Sequence, residues 1–377
     1  MERKLGDISV VNPTTKDIPN QFYYIDLESV TGGVLSKLII VNKSEAPSRA
    51  QRVVETGDVL FQTVRPYQQN NYLVSEEFEL PVVASTGYAQ IRTEENQRFL
   101  YSLLHTKSFL NEVLLRCTGS SYPAINSNDL KEISTFIPER KEQKRIAELM
   151  QLLEERIAKQ RQLVEALKSY KRGLSTALFT RRIRIANAGE SQLPEWKKRS
   201  LGEVFSERTE RARGDEKLLA VTINNGVQDR ETLELKDNSS EDKTNYKVVH
   251  IGDLAYNSMR MWQGACGVSS YDGIVSPAYT VVFVADPEMD YAPFWGYYFK
   301  EISMLHTFQR NSQGLTSDTW NLKYDKFSKI IVNTPCLEEQ VRIASLIDHV
   351  SNAITVNEEL LDRLLNYKRG LLAGMFI

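Results

Sequence analysis

Residues 138–179 read PERKEQKRIAELMQLLEERIAKQRQLVEALKSYKRGLSTALF, and residues 335–376 read PCLEEQVRIASLIDHVSNAITVNEELLDRLLNYKRGLLAGMF, so the two align without a gap. Glu142, Gln143, Arg145, Ile146 and Ala147 recur as Glu339, Gln340, Arg342, Ile343 and Ala344, and the phrase Tyr-Lys-Arg-Gly-Leu at 170–174 returns complete at 367–371. Ile146, Leu149, Leu153, Ile157, Val164, Leu167, Leu174 and Leu178 step by threes, fours and sevens, the spacing of one helix face. Their counterparts Ile343, Leu346, Val350, Ile354, Leu361, Leu364, Leu371 and Met375 are apolar as well. A proline opens each stretch, glutamates follow, and Lys171/Arg172 and Lys368/Arg369 lie toward the far end, as the helix dipole prefers. The spacing predicts two long helices of about 60 Å each.

The flanking sequence repeats more weakly, at drifting offsets. Leu5-Gly6-Asp7 returns as Leu201-Gly202-Glu203, Gly57-Asp58 as Gly252-Asp253, Arg65 as Arg260, Ser85 and Tyr88 as Ser276 and Tyr279, and Gly119 as Gly314. Leu104-His105-Thr106 also matches Leu305-His306-Thr307, but out of register with its neighbours, which marks a coincidence. DVLFQTV, PVVAS and YTVVFVA suggest strands, and RFLYSLLHTKSFLNEVLLR suggests one helix. The expected class is α+β: two similar mixed α/β domains separated by two long antiparallel coiled-coil helices in a pseudo-two-fold repeat. The expected boundaries are 1–137 and 193–334 for the domains, 138–180 and 335–377 for the helices, and a linker at 181–192. Antiparallel pairing follows from connectivity, because the first helix leaves the first domain and the second must return to it.

At 377 residues, two domains are the natural expectation. A charged fraction of 25% and a hydrophobic fraction of 41% fit a folded chain, and a net charge of −2 confines any nucleic-acid binding to local basic faces. No apolar run reaches the ~20 residues of a membrane span, and the start MERKLGDISVV lacks a signal-peptide core, so a cytoplasmic protein with no membrane partner is expected. Cys117, Cys266 and Cys336 are scattered, which indicates buried thiols and neither disulfides nor zinc. No metal spacing, P-loop, cofactor loop or complete Asn/Asp-Pro-Pro-aromatic motif is present, VNPTTKD at 11–17 lacking the second proline, so no cofactor and no catalysis by this chain are expected.

The order domain, helix, domain, helix, with Glu-Gln-x-Arg-Ile-Ala opening each helix, Tyr-Lys-Arg-Gly-Leu closing it, and LPEWKKRSLGEVF opening the second half, resembles the DNA specificity subunits of Type I restriction-modification systems over the whole chain. The resemblance implies two target-recognition domains, each reading half of a split site in double-stranded DNA. It also implies that the helices set the spacing and dock methyltransferase (modification) subunits, two in number. Restriction (nuclease/translocase) subunits are left open as a further partner. Docking and spacing are expected of Gln143, Arg145, Lys171, Arg172, Gln340, Arg342, Lys368 and Arg369. A structural role competes for Tyr-Lys-Arg-Gly-Leu, since Gly173 costs ~1 kcal/mol against alanine unless a second helix comes close. The first half lacks the Leu-Pro-x-Trp of Leu193–Trp196, so an edge element is expected to be missing there.

Sequence is read at base edges by Arg, Asn, Gln, Ser and Thr on exposed loops. After the first Gly-Asp stand Arg65, Tyr67, Gln68, Gln69, Asn70, Asn71 and Tyr72; after the second stand Asn257, Ser258, Arg260, Trp262 and Gln263. Matching position adds Ser85, Thr86, Tyr88, Ser120, Ser121, Tyr122, Ser276, Tyr279, Arg310, Ser312 and Gln313. The alternative is a coiled-coil protein-interaction scaffold without DNA readout, separable by the salt dependence of binding.

Overall fold

The computed structural model describes residues 1–14, 17–186, 193–213, 216–233, 242–316 and 319–375. The chain divides into two compact units, Met1–Leu163 with Asn357–Ile377, and Val164–Val356. Residues 187–192 of the expected linker lie outside the described residues.

Each unit opens with the same construction. In the first, Glu2–Lys4 pairs antiparallel with Ser134–Phe136; in the second, Lys197–Ser200 pairs with Ile331–Thr334. The edge pair expected to be missing from the first half is therefore present. A one-turn helix follows, Leu5–Ile8 or Leu201–Val204, fixed by a capping box in which Asp7 or Glu203 accepts from the backbone N–H three residues earlier. The chain then enters a four-stranded antiparallel sheet, ordered Ser9–Val11, Tyr88–Thr93, Val59–Gln62, Tyr72–Leu73 in the first unit. The second unit repeats it with Phe205–Glu207, Tyr279–Val284, Leu254–Asn257 and Cys266–Val268.

Around this shared frame the units differ. The first adds a second four-stranded sheet, Ile39–Asn42, Gln21–Ile25, Val82–Ser85 and Ala50–Val54, with one parallel pair in which Val82 faces Tyr23. The second has two separate pairs, Leu219–Thr222 with Gly226–Asp229 and Lys247–Val249 with Gly273–Val275.

The single helix expected across 98–116 is two, Gln97–Leu103 and Lys107–Leu115. Thr106 breaks it by accepting from Phe109 N and capping the second helix. In the second unit the corresponding break falls at Phe299–Glu301, between Ala292–Tyr298 and Ile302–Asn311. Leu305-His306-Thr307 lies inside the latter helix, so its likeness to Leu104-His105-Thr106 has no structural counterpart.

The long helices run from Arg140 to Phe179 and from Leu337 to Met375. Each unit holds the start of one and the end of the other, which makes the pairing antiparallel. In the first unit Ile146, Met150 and Leu372 join the core of Leu5, Phe61, Ile91, Phe99 and Phe109. In the second, Leu178, Phe179, Ile343 and Ile347 join an aromatic core of Phe205, Trp295, Phe299, Phe308 and Phe327.

The predicted stripe is buried at Ile146, Leu153, Ile157, Val164 and Leu178, but Leu149 is 41% exposed and Met150 takes its place inside. Between Ile157 and Val164 the seam carries a polar residue. Gln160, 4% exposed, donates to Asn357 O (3.0 Å) and Oδ1 (2.8 Å). Asn357 is Gln160's own counterpart in the repeat, which is the signature of a self-complementary pairing.

Candidate nucleic-acid interface

The shared Gly-Asp builds the corner from which the candidate loops leave. Gly57 and Gly252 adopt φ of 95° and 90°, a region that favours glycine. Asp58, 1% exposed, accepts from Glu55 N (2.8 Å), Gln90 Nε2 (2.7 Å) and Arg92 Nε and Nη2 (2.8 and 2.9 Å). Asp253, 3% exposed, accepts from His250 N (2.8 Å) and from Arg208 Nε and Nη2 (2.5 and 2.8 Å). The Arg208 guanidinium also lies 4.7 Å from the Phe283 ring.

Strand Val59–Gln62 ends at a buried amide. Gln62 Nε2 donates to Val64 O and to Gln68 Oε1 (both 2.8 Å), Gln62 Oε1 accepts from Asn70 N (3.1 Å), and Asn71 Oδ1 accepts from Gln62 N (2.8 Å). Those bonds hold a 3-10 turn at Pro66–Gln68 between two left-handed residues, Arg65 (φ 54°) and Gln69 (φ 51°). The Arg65 guanidinium sits 4.3 Å from the centre of the exposed Tyr122 ring, and Arg65 N donates to Pro123 O (2.8 Å). The arginine is thus presented on a fixed backbone with its planar head braced by an aromatic face.

A cleft of about 750 Å³ opens beside it, lined by Glu28, Thr31, Arg49, Gln62, Arg65, Gln68, Asn70, Thr86 and Tyr122 among others. The second unit has a smaller cleft of about 410 Å³, lined by Arg230, Tyr246, Asn257, Met259, Arg260, Ser276 and Tyr279 among others. Arg260, like Arg65, is the residue before a 3-10 turn, Met261–Gln263. Its φ is −126°, and Trp262 packs edge-on against Trp320 at 5.1 Å. Burial pushes the Tyr279 phenol up, so it stays a neutral donor.

The structure therefore brings together Arg65, Gln68, Asn70, Thr86 and Tyr122 in one cleft, and Asn257, Arg260, Ser276 and Tyr279 in the other. Tyr67 and Ser120 are exposed beside the first, while Gln69 is turned to His105 O. Four expected readers are corrected. Tyr72, Ser85, Tyr88 and Ser258 are between 0% and 6% exposed, and they bond to Glu76, Gly87 N, Asp26 O and Thr280 respectively. Asn71 is likewise a buried brace for the loop. Arg310, Ser312 and Gln313 do not line the second cleft; Ser312 donates to Phe308 O and Gln313 pairs with Asn321. Sequence reading missed Glu28, Arg49, Arg230 and Met259. All but Met259 come from segments upstream of the Gly-Asp corner.

Two docking residues are corrected as well. Gln143 and Gln340, 1% and 0% exposed, fasten each long helix to its own unit. Gln143 accepts from Asn96 N and donates to Glu95 and Pro138 O; Gln340 accepts from Tyr291 N and donates to Asp290, Met289 O and Pro335 O. Arg145 is exposed and Arg342 half-buried.

In Tyr-Lys-Arg-Gly-Leu the lysines turn inward: Lys171 Nζ lies 5.7 Å from the Tyr297 ring, and Lys368 Nζ donates to Glu154 (2.7 Å). Burial pulls the Lys171 ammonium below its usual range. Tyr170 and Tyr367 are 57% and 59% exposed, and Arg172 and Arg369 are exposed. A Cβ on Gly173 or Gly370 would meet no atom within 4 Å, so the close helix approach expected to offset the glycine is absent among the described residues. Both pairs also sit well before the last helical turn, where the dipole has faded.

A family profile described as Type I restriction modification DNA specificity domain matches residues 1–169 and 194–366. The specificity subunit of the Type I restriction enzyme HindI from Haemophilus influenzae is 24% identical over 191 residues, 47% of this chain and 40% of that protein. The match thus spans less than half of that relative's length. The HsdS subunit from Thermoanaerobacter tengcongensis shares the fold at 21% identity and a TM-score of 0.52, over 100% of this chain and 96% of that one. The S subunit of a Type I restriction-modification system from M. genitalium does so at 14% identity and a TM-score of 0.58, with the same coverage. A chain from a structure titled for complex assembly and conformational transition of the type I R-M system shows 21% identity and a TM-score of 0.59, over 99% of this chain and 96% of that one.

Proposed function

Since this chain belongs to the Type I restriction modification DNA specificity family, we propose that it reads a split duplex target, one half through each cleft, for modification subunits that dock on its long helices. What carries this reading is the duplication of one corner: a buried aspartate, a short strand, and an arginine at the entry to a 3-10 turn beside a polar cleft, built once in each unit. Arg65 and Arg260 are the guanine-reading candidates, because a guanidinium matches guanine O6 and N7 bidentately. Gln68, Asn70 and Asn257 suit adenine edges.

Docking is supported by the outward half of Tyr-Lys-Arg-Gly-Leu. Tyrosine, arginine and glycine are identical in both copies and exposed in both, and a Cβ on either glycine would meet no neighbour. Glu165, paired with Lys168, and Asp362 place one exposed acid per copy seven residues before each arginine, which favours a protein partner over phosphate. The same partner engaged twice accounts for the sameness.

The test is co-expression with the cognate modification subunit and mapping of methylated bases. A motif split by a fixed gap is expected, and replacing residues 1–137 with another member's domain should alter one half only. Changes in both halves would sink the assignment. Binding that does not weaken with salt would favour a scaffold without DNA readout.

A further inference from the structure

Among the described residues one carboxylate lines the first cleft, together with two arginines to which no ion pair joins it. Glu28 lines the cleft with Arg49 and Arg65, its side chain is exposed, and its one hydrogen bond among the described residues is from its backbone N–H to Asp26 Oδ1 (3.0 Å). The loop that carries it is held in place. Asp26 Oδ1 also accepts from Ser29 Oγ (2.8 Å), and Leu27 covers Gly87 so closely that a Cβ there would lie 2.9 Å from Leu27 Cδ1.

A carboxylate on a held backbone, with no cation paired to it, repels the phosphates of any duplex entering this cleft. It is offset only if the carboxylate accepts a hydrogen bond from a base edge. The major groove offers two amino donors, cytosine N4 and adenine N6. Adenine N6 stands between two acceptors, its own N7 and thymine O4, which oppose both carboxylate oxygens. Cytosine N4 has an acceptor on one side only, guanine O6, and an adjacent arginine satisfies that acceptor. Arg65 supplies such a group in the same cleft.

We infer that Glu28 selects a cytosine in the half-site read by the first unit, accepting from its 4-amino group. Among the described residues the other cleft has no acidic lining residue, so the two clefts differ in this respect. The inference rests on the DNA-reading assignment of the cleft.

The experiment uses the full chain in complex with its modification subunits and duplexes bearing the mapped motif. Each cytosine of the first half-site is replaced in turn by a pyrimidinone lacking the 4-amino group. With the unaltered protein, one replacement should weaken binding about tenfold or more. With Glu28→Gln, that same replacement should cost far less, while every substitution in the other half-site costs what it did before. Equal penalties for both proteins, or no sensitive cytosine, overturn the role of Glu28. If Arg65→Ala also leaves the first half-site unchanged, it is the assignment of the cleft that fails.

Discussion

The two units solve one electrostatic problem from opposite strands. Asp58 and Asp253 occupy the same corner, and each is buried enough to require a cation. Arg92 reaches Asp58 from the strand Tyr88–Thr93, whereas Arg208 reaches Asp253 from the residue just past Phe205–Glu207, the neighbouring strand. At Arg92's position the second unit has Phe283, over which Arg208 lies; at Arg208's position the first has Asn12, which ties its backbone to Gln90. The fold specifies a charge at the corner, not the strand that delivers it. Divergence can therefore relocate a buried pair so long as the carboxylate is never left alone.

The comparison breaks most severely if one guanidinium is removed. Arg208→Met should destabilise the second unit by about 3 kcal/mol, the low end for orphaning a buried charge because this arginine is partly solvated. Arg92→Met should do less, since Gln90 still donates to Asp58. The pair Arg92→Phe with Asn12→Arg, which copies the other arrangement apart from the left-handed backbone at Asn12 (φ 54°), should recover part of the loss in denaturant unfolding. No recovery would mean that the strands are not interchangeable.

Next in size are the two arginines proposed as readers. Arg65→Ala and Arg260→Ala should each cost about 1–3 kcal/mol of target binding and relax one base in one half only. Methylation-motif mapping distinguishes this from a uniform loss, which would mark a phosphate contact.

Gly173→Ala and Gly370→Ala act in opposite senses on two measurements. Each should stabilise the isolated chain by up to ~1 kcal/mol, because alanine suits an exposed helix and meets no neighbour. Each should also weaken assembly with the modification subunits. A variant that is stabilised and assembles normally would remove the docking role from that glycine.

The smallest effect separates the units by pH. Burial holds the His105 imidazole below its usual pKa of 6.5, while its counterpart in the second unit is Lys300. As pH falls through 6.5 the unfolded chain takes up the proton before the folded one does, so stability declines with acidification. The decline belongs to the first unit and is abolished by His105→Gln.

The repeat, the long helices and the Gly-Asp corners were legible because each leaves a mark at fixed spacing. Arg65 and Arg260 were found as counterparts for the same reason. Burial was not legible: Tyr88 and Tyr279 match in position, yet the first is wholly buried and the second half-exposed, since the sheets that cover them differ. Nor was the far wall of the first cleft, because Glu28 and Arg49 reach it through non-local strand pairing. The inward turn of Gln143 and Gln340 left no trace either, as a polar residue on a helix reads as exposed until the loop that claims its amide is placed.

The same asymmetry appears beside Gln340. Glu339, fully buried, accepts from Arg184 (3.0 and 2.7 Å) and Trp196 Nε1 (3.2 Å), but its repeat mate Glu142 is exposed. Glu339→Gln should therefore destabilise the second unit, while Glu142→Gln should be nearly silent.

The Gln160–Asn357 bond sets a rule for how such a chain can change length. A polar pair inside an apolar seam fixes which turn of one helix faces which turn of the other. A residue bonded to its own counterpart stays in register only if both helices change together on the same side of the pair. Lengthening one helix alone slides the buried Gln160 amide off the two Asn357 oxygens that accept from it. Helix length in this protein is thus constrained in duplicate: a tolerated insertion between Ile146 and Gln160 should be matched by an equal one between Asn357 and Leu372, the stretch that runs alongside it in the first unit.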